Sequence, residues 1–390
     1  MEKIFSLLYT LLMLFLYIIA LPLLLIISLK DKYRQSIPAR FFLWQNSRLK
    51  PNGIWFHSCS FGEAKAIKPI VDTLPQELLR MTTTTNTGYK AIQEYTTESQ
   101  YLPFEWLLWF WTTPQKALVV MEAEFWYLLF ALARSRGAKI ILINARMSDR
   151  SYHKYYKIRW FYKKIFNNID EVFAQTQKDA QRLESLGAKN ITITGNIKLS
   201  KLSSPTQNLT KPSGLILCGA STHEGEEELI LKAFDALCKD EPNTKLIIVP
   251  RHPERFEKVN TMIEEFATSK YTTQRYSQNQ SLTSDIILVD TLGELVNIYA
   301  ISDIVILGGA FAPIGGHNAG EPAQFGCKII SGKHYFNQRD IFQAIEGITI
   351  VEDFNLTKRV LQHGLLKPCR IKQRSDISAI LESLIKYSIK

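Results

Sequence analysis

From Ile4 to Leu29 the chain carries no charged side chain, and beyond it short β-branched runs alternate with segments of helical length. About twenty apolar residues suffice to cross a bilayer's hydrocarbon core as a helix, the form that satisfies its own backbone groups there. The stretch is too long for a signal-peptide core and no small-x-small cleavage site follows, so residues 1–30 are expected to be an uncleaved membrane anchor. The alternation that follows predicts parallel α/β sheets. Strands are expected at 54–57, 117–121, 139–144, 171–175 and 191–194, then at 214–218, 245–249, 286–289, 303–307 and 327–331. Between the two sets, residues 198–213 are polar and aperiodic and include Pro205 and Pro212, which marks a linker. The expected division is a doubly wound domain over 31–198, a linker over 199–213, a second doubly wound domain over 214–374, and an amphipathic helix over 375–390 that serves packing. Two such domains would put a cleft between the carboxyl ends of two sets of strands, where sheets of this kind bind ligands.

Charge sharpens the picture at the anchor. Lys30, Lys32, Arg34, Arg40, Arg48 and Lys50 follow it, opposed only by Asp31. That excess places the following domain on the cytoplasmic side and draws it to anionic headgroups, at roughly 1 kcal/mol per basic residue near the surface. The net charge of +10 suits a polyanion. The anchor favours a phosphorylated lipid over nucleic acid. Between 150 and 169, basic residues (Arg150, Lys154, Lys157, Arg159, Lys163, Lys164) interleave with Tyr152, Tyr155, Tyr156, Trp160, Phe161 and Tyr162. A solvated basic helix would read this way, and so would a membrane-surface contact, which the anchor favours. Five scattered cysteines without a CxxC pair read as reduced thiols in the cytosol.

Candidate chemistry sits where strands end. After the first strand, Ser60 and Gly62 let backbone N–H groups open toward a ligand, and Glu63 stands in the first helical turn. Such an acid can merely complement the helix dipole, or it can take a proton from an attacking hydroxyl. Glu122 leaves a buried strand beside Glu124, with Arg146 available from the adjoining strand end; the set is either a structural brace or part of a site. In the second half, Ser221 and Thr222 can cap a helix or meet an anion. Arg251, followed by His252 and Pro253, is placed for a phosphate, which arginine grips bidentately. The two glycine pairs at 308–309 and 315–316, the latter containing Gly316, let backbone approach a ligand closely. Asn318 and Glu321 then stand at the start of a helix, where a carboxylate can accept both hydroxyls of a ribose.

In that order these motifs resemble the 3-deoxy-D-manno-octulosonic acid (Kdo) transferases of lipopolysaccharide synthesis. The resemblance runs from the anchor to about Ile341. It includes Lys32-Tyr33-Arg34, Ser60-x-Gly62-Glu63, the threonine run ending at Gly88, Met121-Glu122-x-Glu124-x-Trp126 and Asn144-Ala145-Arg146-x-Ser148. Further matches are Thr194-Gly195-Asn196-Ile197-Lys198, Ala220-Ser221-Thr222-His223-Glu224-Gly225-Glu226, Arg251-His252-Pro253-Glu254-Arg255-Phe256, Asp290-Thr291-Leu292-Gly293-Glu294-Leu295 and Pro313-Ile314-Gly315-Gly316-His317-Asn318.

The resemblance implies the two-domain GT-B glycosyltransferase architecture, with the acceptor on the first domain and a nucleotide sugar on the second. The implied reaction is an inverting transfer of Kdo from CMP-Kdo to a tetraacyl lipid A precursor (lipid IVA), with no metal and no cofactor. It would occur on the cytoplasmic side of the cell inner membrane. Glu63 would be the base, Arg251 would face the phosphate, and Gly293 and Glu294 would line the nucleotide pocket. Asn318 and Glu321 would hold cytidine or ribose, while Glu122 and Arg146 would shape the sugar side. The family usually has valine where Cys59 and Phe61 stand, and Asn-Pro-Leu-Glu-Pro where this chain has Asn318-Ala319-Gly320-Glu321-Pro322. Two rivals remain: a membrane-associated GT-B enzyme with a UDP-sugar donor, and a non-catalytic tethered scaffold that keeps a sugar-nucleotide pocket. The presence of Glu63 beside Gly62 counts against the scaffold.

Overall fold

A computed structural model describes residues 2–200, 202–372 and 375–388. Positions 1, 201, 373–374 and 389–390, which fall within the expected segments 1–30, 199–213, 214–374 and 375–390, lie outside the described residues. The chain forms two compact units, Met1–Ser200 with Arg374–Lys390, and Lys201–Gln373.

The first unit is a seven-stranded parallel sheet. Its strands are β1 (Ile54–His57), β2 (Leu79–Thr83), β3 (Ser99–Tyr101), β4 (Ala117–Met121), β5 (Lys139–Ala145), β6 (Glu171–Ala174) and β7 (Ile191–Ile193), in the order β3-β2-β1-β4-β5-β6-β7. Alternate residues of β1, Trp55 against Ile54 and Phe56, join separate apolar clusters on the two faces, and helices cover both. This is the doubly wound arrangement. The second unit repeats it with β8 (Ile216–Thr222), β9 (Lys245–Pro250), β10 (Thr273–Arg275), β11 (Ile286–Leu288), β12 (Ile304–Leu307) and β13 (Lys328–Ser331). A short β14 (Ile345–Glu346) pairs antiparallel with β16 (Arg370–Ile371), while β15 (Thr349–Ile350) closes the main sheet, ordered β10-β11-β9-β8-β12-β13-β15. Two such units behind an apolar helix are the α/β fold class that the sequence predicts.

That helix runs over Glu2–Ser28. Its Ile4–Ser28 portion has mean hydropathy 2.8 and only 6% of its most apolar window is buried, so it is long and apolar enough to cross a membrane. Its first turns touch the first unit through Ser6 Oγ on the Tyr127 hydroxyl (2.7 Å) and Tyr9 donating to Glu105 (2.6 Å).

Several expectations need correction. β2, β3, β10, β14, β15 and β16 have no counterpart among the predicted strands. β2 hides behind Arg80, a charge in mid-strand whose guanidinium is buried against the carbonyls of Lys50, Glu77 and Leu79. β8 does not stop at Cys218 but runs through Gly219 and Ala220 to Thr222, so these small residues are strand rather than loop. Arg40, grouped with the exposed bases behind the anchor, turns inward and donates through Nε to the Leu102 carbonyl at 3.0 Å. The basic stretch breaks into Asp149–Lys157 and Arg159–Phe166; Tyr162 and Phe166 join the core while Trp160 stays exposed. The last helix, Ser378–Ser388, returns to the first unit, where Ile380 and Leu384 are fully buried in the cluster holding Ile54 and Phe56.

Candidate active site

In the first unit the sheet order reverses between β1 and β4, whose neighbours are β2 on one side and β5 on the other. Ligands of open α/β sheets bind at the carboxyl ends of strands at such a switch point. Glu63 follows β1 and Glu122 follows β4, so the topology brings both to this edge.

Ser60 caps the helix Phe61–Ala66: its hydroxyl accepts the Glu63 N–H at 3.3 Å and donates to Glu63 Oε1 at 2.9 Å. Glu63 Oε2 accepts the Cys59 N–H at 2.8 Å. The reciprocal pair resembles a capping box, with the carboxylate reaching the Cys59 N–H in place of the cap residue's own, so the dipole-complementing use of Glu63 is real. It does not exhaust the residue. Glu63 is half-exposed, and Gly62 beside it has open space where a side chain would stand. Burial pushes the Glu63 carboxyl up to about 6, the Cys59 N–H and Ser60 hydroxyl oppose the rise, and the charges of Glu122 and Glu124 add to it.

Glu122 is buried with φ of 56°. Its Oε2 accepts Arg146 Nε at 2.7 Å, and its Oε1 lies 3.4 Å from Lys198 Nζ. Asn144, from the end of β5, accepts the Ile197 N–H at 3.0 Å. The expected Glu122–Arg146 pair is present, and Lys198 makes it a triad that ties β4, β5 and the 194–198 turn together.

The second unit reverses its order between β8 and β12. His223 follows β8, Arg251 follows β9, and Gly308 and Gly309 follow β12. Three imidazoles gather there. His223 and His317 are stacked with their Nε2 atoms 3.0 Å apart, and His252 meets His223 edge-on at 5.4 Å between centroids. Burial and the neighbouring cationic groups, Arg251 among them, push His317 down to about 4 and lower His223. An edge that disfavours added positive charge in this way is one that an anion would relieve.

The loop is held by Glu226, the first residue of the helix Glu226–Asp240. Its buried carboxylate accepts N–H groups from His223 and Gly309 (both 2.9 Å), Phe311 (3.2 Å) and Ala312 (3.4 Å). Gly309 has φ of 70°, and a Cβ there would lie 2.9 Å from the His317 ring. Gly316 donates to the Gly309 carbonyl at 2.7 Å. Asn318 Oδ1 accepts the Gly320 N–H at 2.9 Å, and burial raises the Glu321 carboxyl while Arg251 and Asn318 pull it down. Arg251, His252 and Pro253 are exposed.

Thr222 has another duty. The Thr222 hydroxyl is fully buried and donates to Glu227 Oε1 at 2.7 Å, so it neither caps the helix nor faces an anion. Glu227 in turn is gripped bidentately by Arg255 at 2.6 and 3.0 Å. Glu294, beside Gly293, accepts from Gln207 Nε2 (2.8 Å) and Asn297 Nδ2 (2.7 Å), fastening the entering segment to the unit. Ser221 sits at the end of β8 with φ of 52°. Sequence reasoning quoted His223, Glu226, His317 and Lys198 within motifs but gave them no role; only the strand ends that precede them signal their meeting.

Residues 35–201 match the family described as 3-Deoxy-D-manno-octulosonic-acid transferase (kdotransferase). A 3-deoxy-D-manno-octulosonic acid transferase of Haemophilus influenzae is 34% identical over 87% of this chain and 85% of its own length. That of Bordetella pertussis is 30% identical over 74% and 72%. Among solved structures, the C-terminal CMP-Kdo binding domain of WaaA from Acinetobacter baumannii is 27% identical over 45% of this chain and 87% of its own, with a TM-score of 0.35.

Proposed function

The chain belongs to the 3-deoxy-D-manno-octulosonic acid (Kdo) transferase family of lipopolysaccharide synthesis, and from that premise we propose that its donor is CMP-Kdo and its acceptor the tetraacyl lipid A precursor, lipid IVA. Glu63 takes the proton from an acceptor hydroxyl as that oxygen attacks the anomeric carbon of Kdo. The bond from that carbon to the phosphate oxygen breaks, and CMP leaves with the bonding pair. A single displacement from the far face inverts the anomeric centre. Arg251, with His252 beside it, meets the phosphate as its charge grows. Asn318 and Glu321 hold the nucleoside, while Glu122 and Arg146 shape the sugar side. The apolar helix anchors the enzyme in the inner membrane, and Lys30, Lys32 and Arg34 behind it favour the cytoplasmic side.

The observation that carries the reading is Glu63, a half-exposed carboxylate at a switch point with its acidity moved to about 6. A base with a pKa just below the working pH is both ionised and basic enough to take a proton. The test incubates the enzyme with CMP-Kdo and a tetraacyl disaccharide acceptor and counts added sugars by mass. Glu63→Gln is expected to lose turnover by about 100-fold or more while CMP binding stays unchanged. Retained turnover ends the assignment.

A further inference from the structure

His57 is the last residue of β1, and the bend that follows brings the Cys59 sulfur back to its ring. Glu124 lies just past the turn that follows the paired strand β4. We propose that His57 Nε2, Cys59 Sγ and a Glu124 carboxylate oxygen form a binding site for one zinc-class divalent cation, separate from the chemistry of sugar transfer. These three donor atoms lie within 4.8 Å of one another, and Sγ is 3.8 Å from Nε2. A tetrahedral zinc ion, with bonds of about 2.0–2.3 Å, holds its donors roughly 3.5 Å apart, so a small inward movement closes the set. The fourth position would take water.

The groups behind the donors are already fixed. Thr82 Oγ1 meets His57 Nδ1 at 3.0 Å, which orients the ring and leaves Nε2 directed at the sulfur. The Cys59 carbonyl accepts the hydroxyls of Thr84 and Thr85, each at 3.1 Å, while its N–H is held by Glu63. Trp126 Nε1 donates to Glu124 Oε2 at 2.8 Å, leaving the other carboxylate oxygen for the ion. His57 is fully buried, and burial with Arg40 nearby keeps the imidazole neutral, the form that ligates. Thiolate and carboxylate together would balance the ion's two charges. Two features oppose binding: the positive charge of Arg40 faces His57, Cys59 and Glu124 and lowers the affinity for any cation, and burial with the Glu124 carboxylate pushes the Cys59 thiol up, so the ion must displace its proton.

The test uses the full chain in detergent, stripped with chelator and titrated with Co2+, whose thiolate charge-transfer band and intense tetrahedral absorption report the site directly. One equivalent is expected, displaced by Zn2+. Cys59→Val, similar in volume but without a donor, is expected to lose the band and at least about 100-fold in affinity with an unchanged melting temperature. Glu124→Gln is expected to keep the thiolate band and lose roughly tenfold. Absence of the band in the parent chain, its survival in Cys59→Val, or equal affinity in Glu124→Gln would each overturn the assignment.

Discussion

Glu226→Gln tests whether one buried carboxylate holds the glycine loop of the second unit. The parent side chain accepts four backbone N–H groups, two at each oxygen. Glutamine keeps one acceptor oxygen and turns an NH2 group toward the other two donors. Hydrogen bonds to a charged acceptor are worth roughly 1.5–3 kcal/mol and neutral ones roughly 0.5–1.5. Four weak charged bonds, about 6 kcal/mol, thus become two neutral ones, about 2. Relief of the carboxylate's own burial returns part of the difference, so a net loss of about 3 kcal/mol is expected. For a unit of this size that lowers the melting temperature by roughly 6–12 °C. Amide exchange should accelerate at Gly309, Phe311 and Ala312, and CMP should bind at least about tenfold more weakly. Calorimetry, exchange and a CMP titration on the full chain read the three effects. An unchanged melt with unchanged exchange at those amides would refute the claim that Glu226 organises the loop.

Because Glu63 acts only when ionised and titrates near 6, kcat/KM in chelator-treated enzyme is expected to rise about tenfold per pH unit below that value and level off above it. A profile that levels off near the ordinary 4.5 would contradict its burial. Arg251→Ala, at an exposed position, is expected to weaken CMP binding roughly 10- to 100-fold with no change in melting, as checked by calorimetric titration. Leu384→Ala empties a fully buried position against the first unit and should cost that unit about 2–5 kcal/mol in denaturant unfolding. A loss confined to the second unit's transition would contradict the packing described here.

The legible part of the fold is the part buried on both faces. Ala117–Met121, and residues 140–143 and 246–249 of the next two strands, read as unbroken apolar runs because helices cover both sides of a parallel sheet. Edge strands escape that logic. β3 is Ser-Gln-Tyr at the rim of its sheet; β2, an interior strand between β3 and β1, is hidden for another reason, since it carries Arg80, whose charge is satisfied by carbonyls that no local pattern announces. β8 was half visible: Gly219 to Thr222 lack the bulk that marks a strand, yet they are buried between β9 and β12, where small side chains fit.

The site divides along the same physical line. Arg251 can be singled out because it follows its strand directly, and Glu63 because it opens the first helix after its strand, so local pattern alone locates them. His223 and His317 are 94 residues apart, Glu226 and Gly309 are 83 apart, and Glu122 and Lys198 are 76 apart. Their meeting depends on which strands are neighbours, and hydrophobic patterning says that a strand is buried without saying what lies beside it. The terminal helix makes the same point from the other side. Ile380 and Leu384 announce an apolar face, but either sheet could have received it. A helix stripe specifies burial and not address, so the return of Ser378–Ser388 to the first unit follows from chain connectivity and surface complementarity that only the folded protein expresses.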